Sequence, residues 1–214
     1  MLLSGAGGFL DAFTWLGHGG VFANAQSGNV VLLGVSLATA HWSQGLRHIP
    51  PIVAFLAGVF TEHLLRTHEA RRGRHRSVLF SLGVEIVLLL IVAMLPRDFP
   101  DLPIVLGIAF VAALQNSGFT KVEGMAYNSV MTTGNLRRTA ETFFAGLTKP
   151  KDPDAPRQAL IFASICLSFA VGAACGAFAT VRLGNAAVLV SAAALILAFW
   201  LCRRLPDLTD PTPG

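Results

Sequence analysis

HGGVFANAQSGNVVLLGVS, His18 to Ser36, is the stretch that decides the fold. It opens on glycines, runs through a short polar piece and reaches Ser27-Gly28-Asn29, where an apolar helical run begins. The same arrangement returns about a hundred residues later in GMAYNSVMTTGNLRRTAET, Gly124 to Thr142, with Thr133-Gly134-Asn135 at the matching point. The residues before each copy also correspond. Gly7-Gly8-Phe9-Leu10-Asp11-Ala12 lies over Ala112-Ala113-Leu114-Gln115-Asn116-Ser117, with one extra residue before the second Gly-Asn. An internal duplication of this kind sets the architecture before any side-chain chemistry does.

Composition gives the class. The 214 residues are 53% apolar and only 13% charged, against about 25% charge in a soluble domain. Apolar runs cover Pro51 to Leu65, Val78 to Leu95, Leu102 to Leu114, Ala159 to Val181 and Ala186 to Leu201. Several approach the roughly 20 residues that span a bilayer. The start, Met1-Leu2-Leu3-Ser4, has no basic n-region and does not read as a secretory signal. The net charge of +4 sits in loops between spans, where Lys and Arg set orientation, so nucleic acid is not an expected partner. Cys166, Cys175 and Cys202 lie inside apolar runs without metal-ligand spacing and read as small buried residues.

Taken in order, Leu2 to Leu16 is a short, Gly- and Ala-rich helix that holds Asp11. Gly17-His18-Gly19-Gly20 should end it with positive φ. Val21 to Gln26 should run extended, and Ser27 should cap a helix over Val30 to Ala40. A helix of about 13 residues is roughly 20 Å long, too short for a hydrocarbon core of about 30 Å. Pro50-Pro51 suit the first turn of a helix to Arg66. The basic stretch RTHEARRGRHR, Arg66 to Arg76, leads to a span over Val78 to Leu95 with one acid, Glu85. The second half repeats the order. A span over Leu102 to Phe119 leads to an extended piece over Thr120 to Thr132. Thr133 should cap a half-helix through Leu147. The loop KPKDPDAPR, Lys149 to Arg157, precedes spans over Gln158 to Thr180 and Ala186 to Cys202. Residues 205–214 form a polar, Pro-rich tail, expected to be disordered. The repeats are residues 1–98 and 99–204 of a single domain, 1–214.

Basic residues choose between two topologies. If each half-helix returns to the side it came from, there are six crossings, and eleven Lys and Arg fall on one side with three opposite. If both half-helices cross, the split is seven against seven. The positive-inside rule prefers the first. Each half then has an odd number of crossings, so the halves are inverted. Inverted repeats with broken helices point to a transporter's binding site near mid-membrane; that step is fold-level analogy.

The segments GGFLDAFTWLGHGGVFANAQSGNVVLLG and AALQNSGFTKVEGMAYNSVMTTGNLRRTAE resemble the YoaK family of small bacterial integral membrane proteins. The likeness covers nearly the whole chain, and the Gly-Asn segments with the Asp-Ala and Gln-Asn pairs carry it. It implies an inner-membrane protein of about six spans and supplies no substrate. Family members carry more sequence before the first Gly-rich helix, which suggests a trimmed start here. Ser27 stands where Thr is more usual and keeps the hydroxyl.

Candidate site residues follow. A half-helix starting at depth presents unpaired N–H groups and a positive dipole end, so Ser27, Gly28, Asn29, Thr133, Gly134 and Asn135 suit an anion or a carbonyl oxygen. The plain alternative is capping and packing. Asp11, with Asn116 as its counterpart beside Gln115, is an intramembrane acid and by default a functional one. It could bind a cation or carry a proton, or it could accept hydrogen bonds from backbone N–H groups of the extended pieces. Glu85 should pair with Arg137, Arg138 or Gln115. Arg137 and Arg138 are spaced to pair one of them with Glu141, leaving the other, Arg138, for a cavity. Asn24, Gln26, Asn128 and Thr132 are candidate cavity lining. His63, His68 and His75 have no compact metal spacing. No catalytic motif is present.

The fold expected is an all-α membrane protein of six transmembrane helices and two re-entrant half-helices after short extended segments, as an inverted repeat, with the extended pieces Val21 to Gln26 and Ala126 to Met131 side by side as a short antiparallel two-stranded ribbon. The function expected is transport of a small anionic or carbonyl-bearing solute, with a channel or a structural protein as alternatives. Lipid bilayer and solute are the expected partners, with a homodimer left open. No enzyme activity, cofactor or metal is expected. The expected location is the bacterial inner membrane, with both termini cytoplasmic.

Overall fold

The structure is a computed structural model and describes residues 1–71, 77–119, 121–122, 125–126, 132–148 and 154–204. Residues 72–76 of the basic stretch, Asn128, most of the loop after Leu147 and the 205–214 tail lie outside the described residues.

Helix α1, Leu2–Gly17, stops where the glycines require it: Gly19 and Gly20 have φ of 81° and 70°, a region that costs a side-chain-bearing residue energy. Residues 21–25 form no regular element before α2, Gln26–Ala38. The short α3, Trp42–Leu46, lies in what the sequence presented as a loop. Helix α4, Ile49–Arg71, takes Pro50 and Pro51 into its first turn, where N–H groups have no helical partner anyway. Helices α5, Ser77–Met94, and α6, Asp101–Gly118, follow. A two-stranded hairpin pairs β1, Lys121–Val122, with β2, Met125–Ala126. Then come α7, Thr132–Thr148, and α8, Ala155–Leu183. A 3-10 turn, Gly184–Ala187, with Gly184 at φ 59°, leads to α9, Val188–Arg204.

Among the described residues, three stretches are long and apolar enough to cross a membrane: Trp42–His68, Asp101–Gly118 and Ala155–Arg204, the last holding both α8 and α9. Helices α2 and α5 are shorter apolar helices.

Helix α1 packs on α8 and α9, α6 packs on α4 and α5, and α5 packs on α9. Helix α2 rests on α3 and α4, and α7 rests on α8. The buried core gathers Phe9, Leu10 and Phe13 of α1 with Leu82 and Leu89 of α5, Ile108 of α6 and Leu195 of α9. Lipid is as apolar as leucine, so close approach rather than burial holds such helices together. At the α1–α8 crossing a Cβ on Gly8 would strike the backbone of Phe169, and one on Gly172 would strike that of Gly5. Gly58 plays the same part where α4 meets Phe110 of α6.

Polar ties join the helix ends. His18 Nδ1 lies 2.8 Å from Asp101 Oδ1. Asn185 Nδ2 donates to the carbonyls of Leu95 (3.3 Å) and Pro96 (2.9 Å), and Arg97 donates to the Arg182 carbonyl (3.2 Å). Arg66 donates to the Gly118 carbonyl at 2.6 Å.

Two expectations need correction. Ser27 does not cap α2. The helix starts one residue before it, its N-cap is Ala25 without a side-chain cap bond, and Ser27 is exposed in the first turn. Thr133 likewise lies inside α7, which begins at Thr132. Nor does the described backbone form a ribbon between the pieces Val21 to Gln26 and Ala126 to Met131. Ala126 pairs with Lys121, and both backbone groups of Phe22 are taken by a side chain. Local closure wins because it needs no long-range loop closure. Residues 127–131 lie outside the described residues.

Candidate functional site

The break after α1 is organised by Asn29. Its Oδ1 accepts the Phe22 N–H at 2.9 Å, and its Nδ2 donates to the Phe22 carbonyl at 2.7 Å and to Gln26 Oε1 at 2.8 Å. Gln26 Nε2 in turn donates to the Ala23 carbonyl at 2.7 Å. His48 Nδ1 approaches Asn29 Oδ1 at 3.3 Å. Irregular backbone among apolar helices must have its polar groups satisfied, and here two side chains of α2 do that for residues 22 and 23. Gly28 leaves room for the Phe22 ring, 2.8 Å from where a Cβ would sit, and the ring stacks on Trp15 at 4.7 Å. Asn29 and Gln26 therefore hold the break together. Asn135, the counterpart of Asn29, is also buried.

Asp11 completes the cluster. Its Oδ1 accepts the backbone N–H groups of Asn24 (2.7 Å) and Ala25 (3.4 Å), as the plain alternative expected. Asn24 Nδ2 donates to the Gly7 carbonyl at 3.2 Å. Asp11 and Asn24 are only 5% and 4% exposed, yet Asp11 Oδ2 and Asn24 Oδ1 have no hydrogen-bond partner among the described residues. In the second half Gln115 Nε2 and Asn116 Oδ1 are buried in the same condition, as are Glu85 Oε2 and Thr132 Oγ1.

Glu85 does not find the partners expected of it. Arg137 pairs with Glu141 at 3.4 Å, the local ion pair that their spacing predicts. Arg138 sits over the Phe162 ring at 5.8 Å, so it is held against α8 rather than left free for a cavity. Glu85 is enclosed by the α5, α6 and α9 packing instead. Ser27, Thr133 and Gly134 are exposed, and no described heavy atom lies within 4 Å of a Cβ at Gly134. Asn128 lies outside the described residues.

A second acid escaped the sequence reading. Glu62 is fully buried, accepts the Ser81 hydroxyl at 2.8 Å and faces Arg66 Nε at 3.3 Å. Glu62 drew no assignment from the sequence; an i, i+4 acid–base pair entering an apolar run was the signal available. Among the described residues no group of three metal-ligating side chains exists.

An all-α protein with apolar helices of membrane-spanning length and acids buried among them is the class that fold and site define. A family model described as "Protein of unknown function (DUF1275)" matches residues 1–201, and the chain belongs to that family, of which YoaK is a member. No curated protein and no solved structure matches the chain.

Proposed function

We propose that the protein is an inner-membrane transporter built as an inverted repeat. Six helices cross, α2 and α7 are re-entrant, and a small anionic or carbonyl-bearing solute passes a central site flanked by their first turns. Both termini are cytoplasmic.

Parity of crossings supports the topology. Residues in contact at helix ends share a side of the bilayer, so an even number of crossings separates them. Between His18 and Asp101 lie α2, α4 and α5, besides the single-turn α3. The count is even only if α2 does not cross. Between Pro96 and Asn185 lie α6, α7 and α8, and the count is even only if α7 does not cross. Arg66 and Gly118 are separated by α5 and α6, an even count. The packing supports the duplication: exchanging α1 with α6, α2 with α7, α4 with α8 and α5 with α9 turns α1–α8 into α6–α4, α1–α9 into α6–α5 and α2–α4 into α7–α8.

Transport, rather than a scaffold, is carried by the buried polar atoms without partners. Each such atom costs about 1–3 kcal/mol, and intramembrane ionisable groups mark transported species by default. Asp11 and Asn116 occupy matching places in the two halves. The vacant donor Gln115 Nε2 suits an anion or a carbonyl oxygen, as do the first-turn N–H groups of α2 and α7.

The test is thermal stabilisation of purified protein by acetate, pyruvate, succinate and a wider panel of small carboxylates and carbonyl compounds, since a ligand selective for the native state raises Tm. A stabilising compound should then show saturable uptake into proteoliposomes, reduced at least tenfold by Gln115→Ala. Flux that never saturates would mean a channel. No stabilisation and no flux across the panel would favour a structural role.

A further inference from the structure

We propose that Asp11 is a proton-binding site, with the proton bonded to Asp11 Oδ2. Asp11 is buried, and its Oδ2 has no hydrogen-bond partner among the described residues. The other oxygen of the carboxylate accepts the Asn24 and Ala25 N–H groups. A proton neutralises the buried charge as a covalent O–H bond on the oxygen that has no donor. A metal cation is a poorer fit, because hard cations take six or more oxygens and no group of three metal-ligating side chains exists among the described residues. The step is balanced without any co-reactant: hydronium delivers the proton to the carboxylate and leaves water, and release reverses it.

Nothing charged competes for the carboxylate among the described residues. On α1 itself, His18 is two turns on and taken by Asp101 of α6. From α8, Arg182 lies on the Phe178 ring at 4.9 Å, and Cys166 points to the Thr132 carbonyl; Cys175 is exposed. From α9, Cys202, Arg203 and Arg204 lie in the last turn, and Arg204 covers Trp200 at 3.6 Å. Asp11 is thus an acid with no basic partner among the described residues, held by the N–H groups of the 24–25 segment. Protonation removes that charge and weakens the hold on the break between α1 and α2. This links proton occupancy to the conformation of the segment beside the proposed solute site. The role as coupling ion rests on the transporter reading; proton binding does not.

Infrared difference spectroscopy of the purified protein tests it. The expected result is one free-acid carbonyl band that falls as pH is raised, is missing in Asp11→Asn and persists in Glu62→Gln and Glu85→Gln. Sodium chloride at constant ionic strength should leave it unchanged. If Asp11→Asn does not fold, Asp11→Glu should keep a free-acid band and shift its frequency or midpoint, because the acid stays while its position changes. A spectrum with no such band, a band unaltered in the folded Asp11→Asn or Asp11→Glu protein, a band constant over the whole pH range, or one removed by sodium overturns the proposal. No solute or flux is involved, so a band without any transport would leave the proton site standing and sink the transporter reading alone.

Discussion

His18 and Asp101 stand 83 residues apart in sequence and 2.8 Å apart in space, and they fasten the break after α1 to the first turn of α6. The imidazole is buried while Asp101 is half exposed, and the His18 ring also lies 4.6 Å from that of Phe13. Asp101→Asn keeps an acceptor oxygen and should cost no more than about 1 kcal/mol. His18→Ala loses ring packing as well and should cost about 2 kcal/mol. Thermal unfolding in detergent should rank the two in that order; equal losses would mean that the contact, not the ring, dominates.

Labelling from the outside addresses the side on which these ends lie. In a variant lacking the native cysteines, Gln44→Cys should react with a membrane-impermeant maleimide in intact cells. Arg72→Cys should react only after lysis. Strong labelling of Arg72→Cys in intact cells would sink the six-crossing inverted arrangement.

The Gly-Asn segment should respond through its asparagine. Asn29→Ala strands the N–H and carbonyl of Phe22 at depth, and at about 1–3 kcal/mol for each stranded group it should lower Tm severely. Ser27→Ala removes an exposed hydroxyl that caps nothing and should change stability by less than about 0.5 kcal/mol. The reverse ranking would restore the capping role to Ser27.

The cluster of Glu62, Arg66 and Ser81 offers a charge test. Arg66→Ala leaves the carboxylate of Glu62 buried with only the Ser81 hydroxyl and should cost about 3 kcal/mol, the lower end for a stranded buried charge. Adding Glu62→Gln to that variant should recover most of the loss. Failure of the second change to help would mean that Arg66 acts mainly through the Gly118 carbonyl.

Close helix approach gives the fifth contrast. Gly172→Val should prevent the α1–α8 crossing and abolish folded protein, whereas Gly34→Ala, with open space around it, should be neutral or stabilise by up to about 1 kcal/mol. Size-exclusion profiles of the two variants decide it.

Local chemistry made much of this legible. The stop at Gly19 and Gly20, the prolines opening α4 and the Arg137–Glu141 pair follow from neighbours within a turn or two. Asp11 was visible because a charge in an apolar run stands out, and so was its bond to backbone N–H groups. What stayed hidden depends on distance or on competition. His18 with Asp101, and Arg66 with Gly118, join residues that only the packing of helices brings together. Ser27 read as a cap because its type favours that role, but the helix already starts at Gln26, and Asn29, two residues on, reaches back to the Phe22 backbone before the helix. Glu85 seemed to need a partner because isolated charge is costly, yet the arginines assigned to it have nearer ones.

The partnership of α1 with α8 and α9 bears on how the protein is made. As the chain leaves the ribosome, the first helix emerges well over a hundred residues ahead of the surfaces it packs on. Its glycine-lined face and Asp11 must wait without their partners until the last two helices arrive. Neither half owns a complete interior, because each one's opening helix is completed by the other's closing pair. Assembly is therefore a late, non-local event, slow by the rule that distant contacts fold slowly. The finished core interlocks the two ends of the chain, not two separately folded pieces.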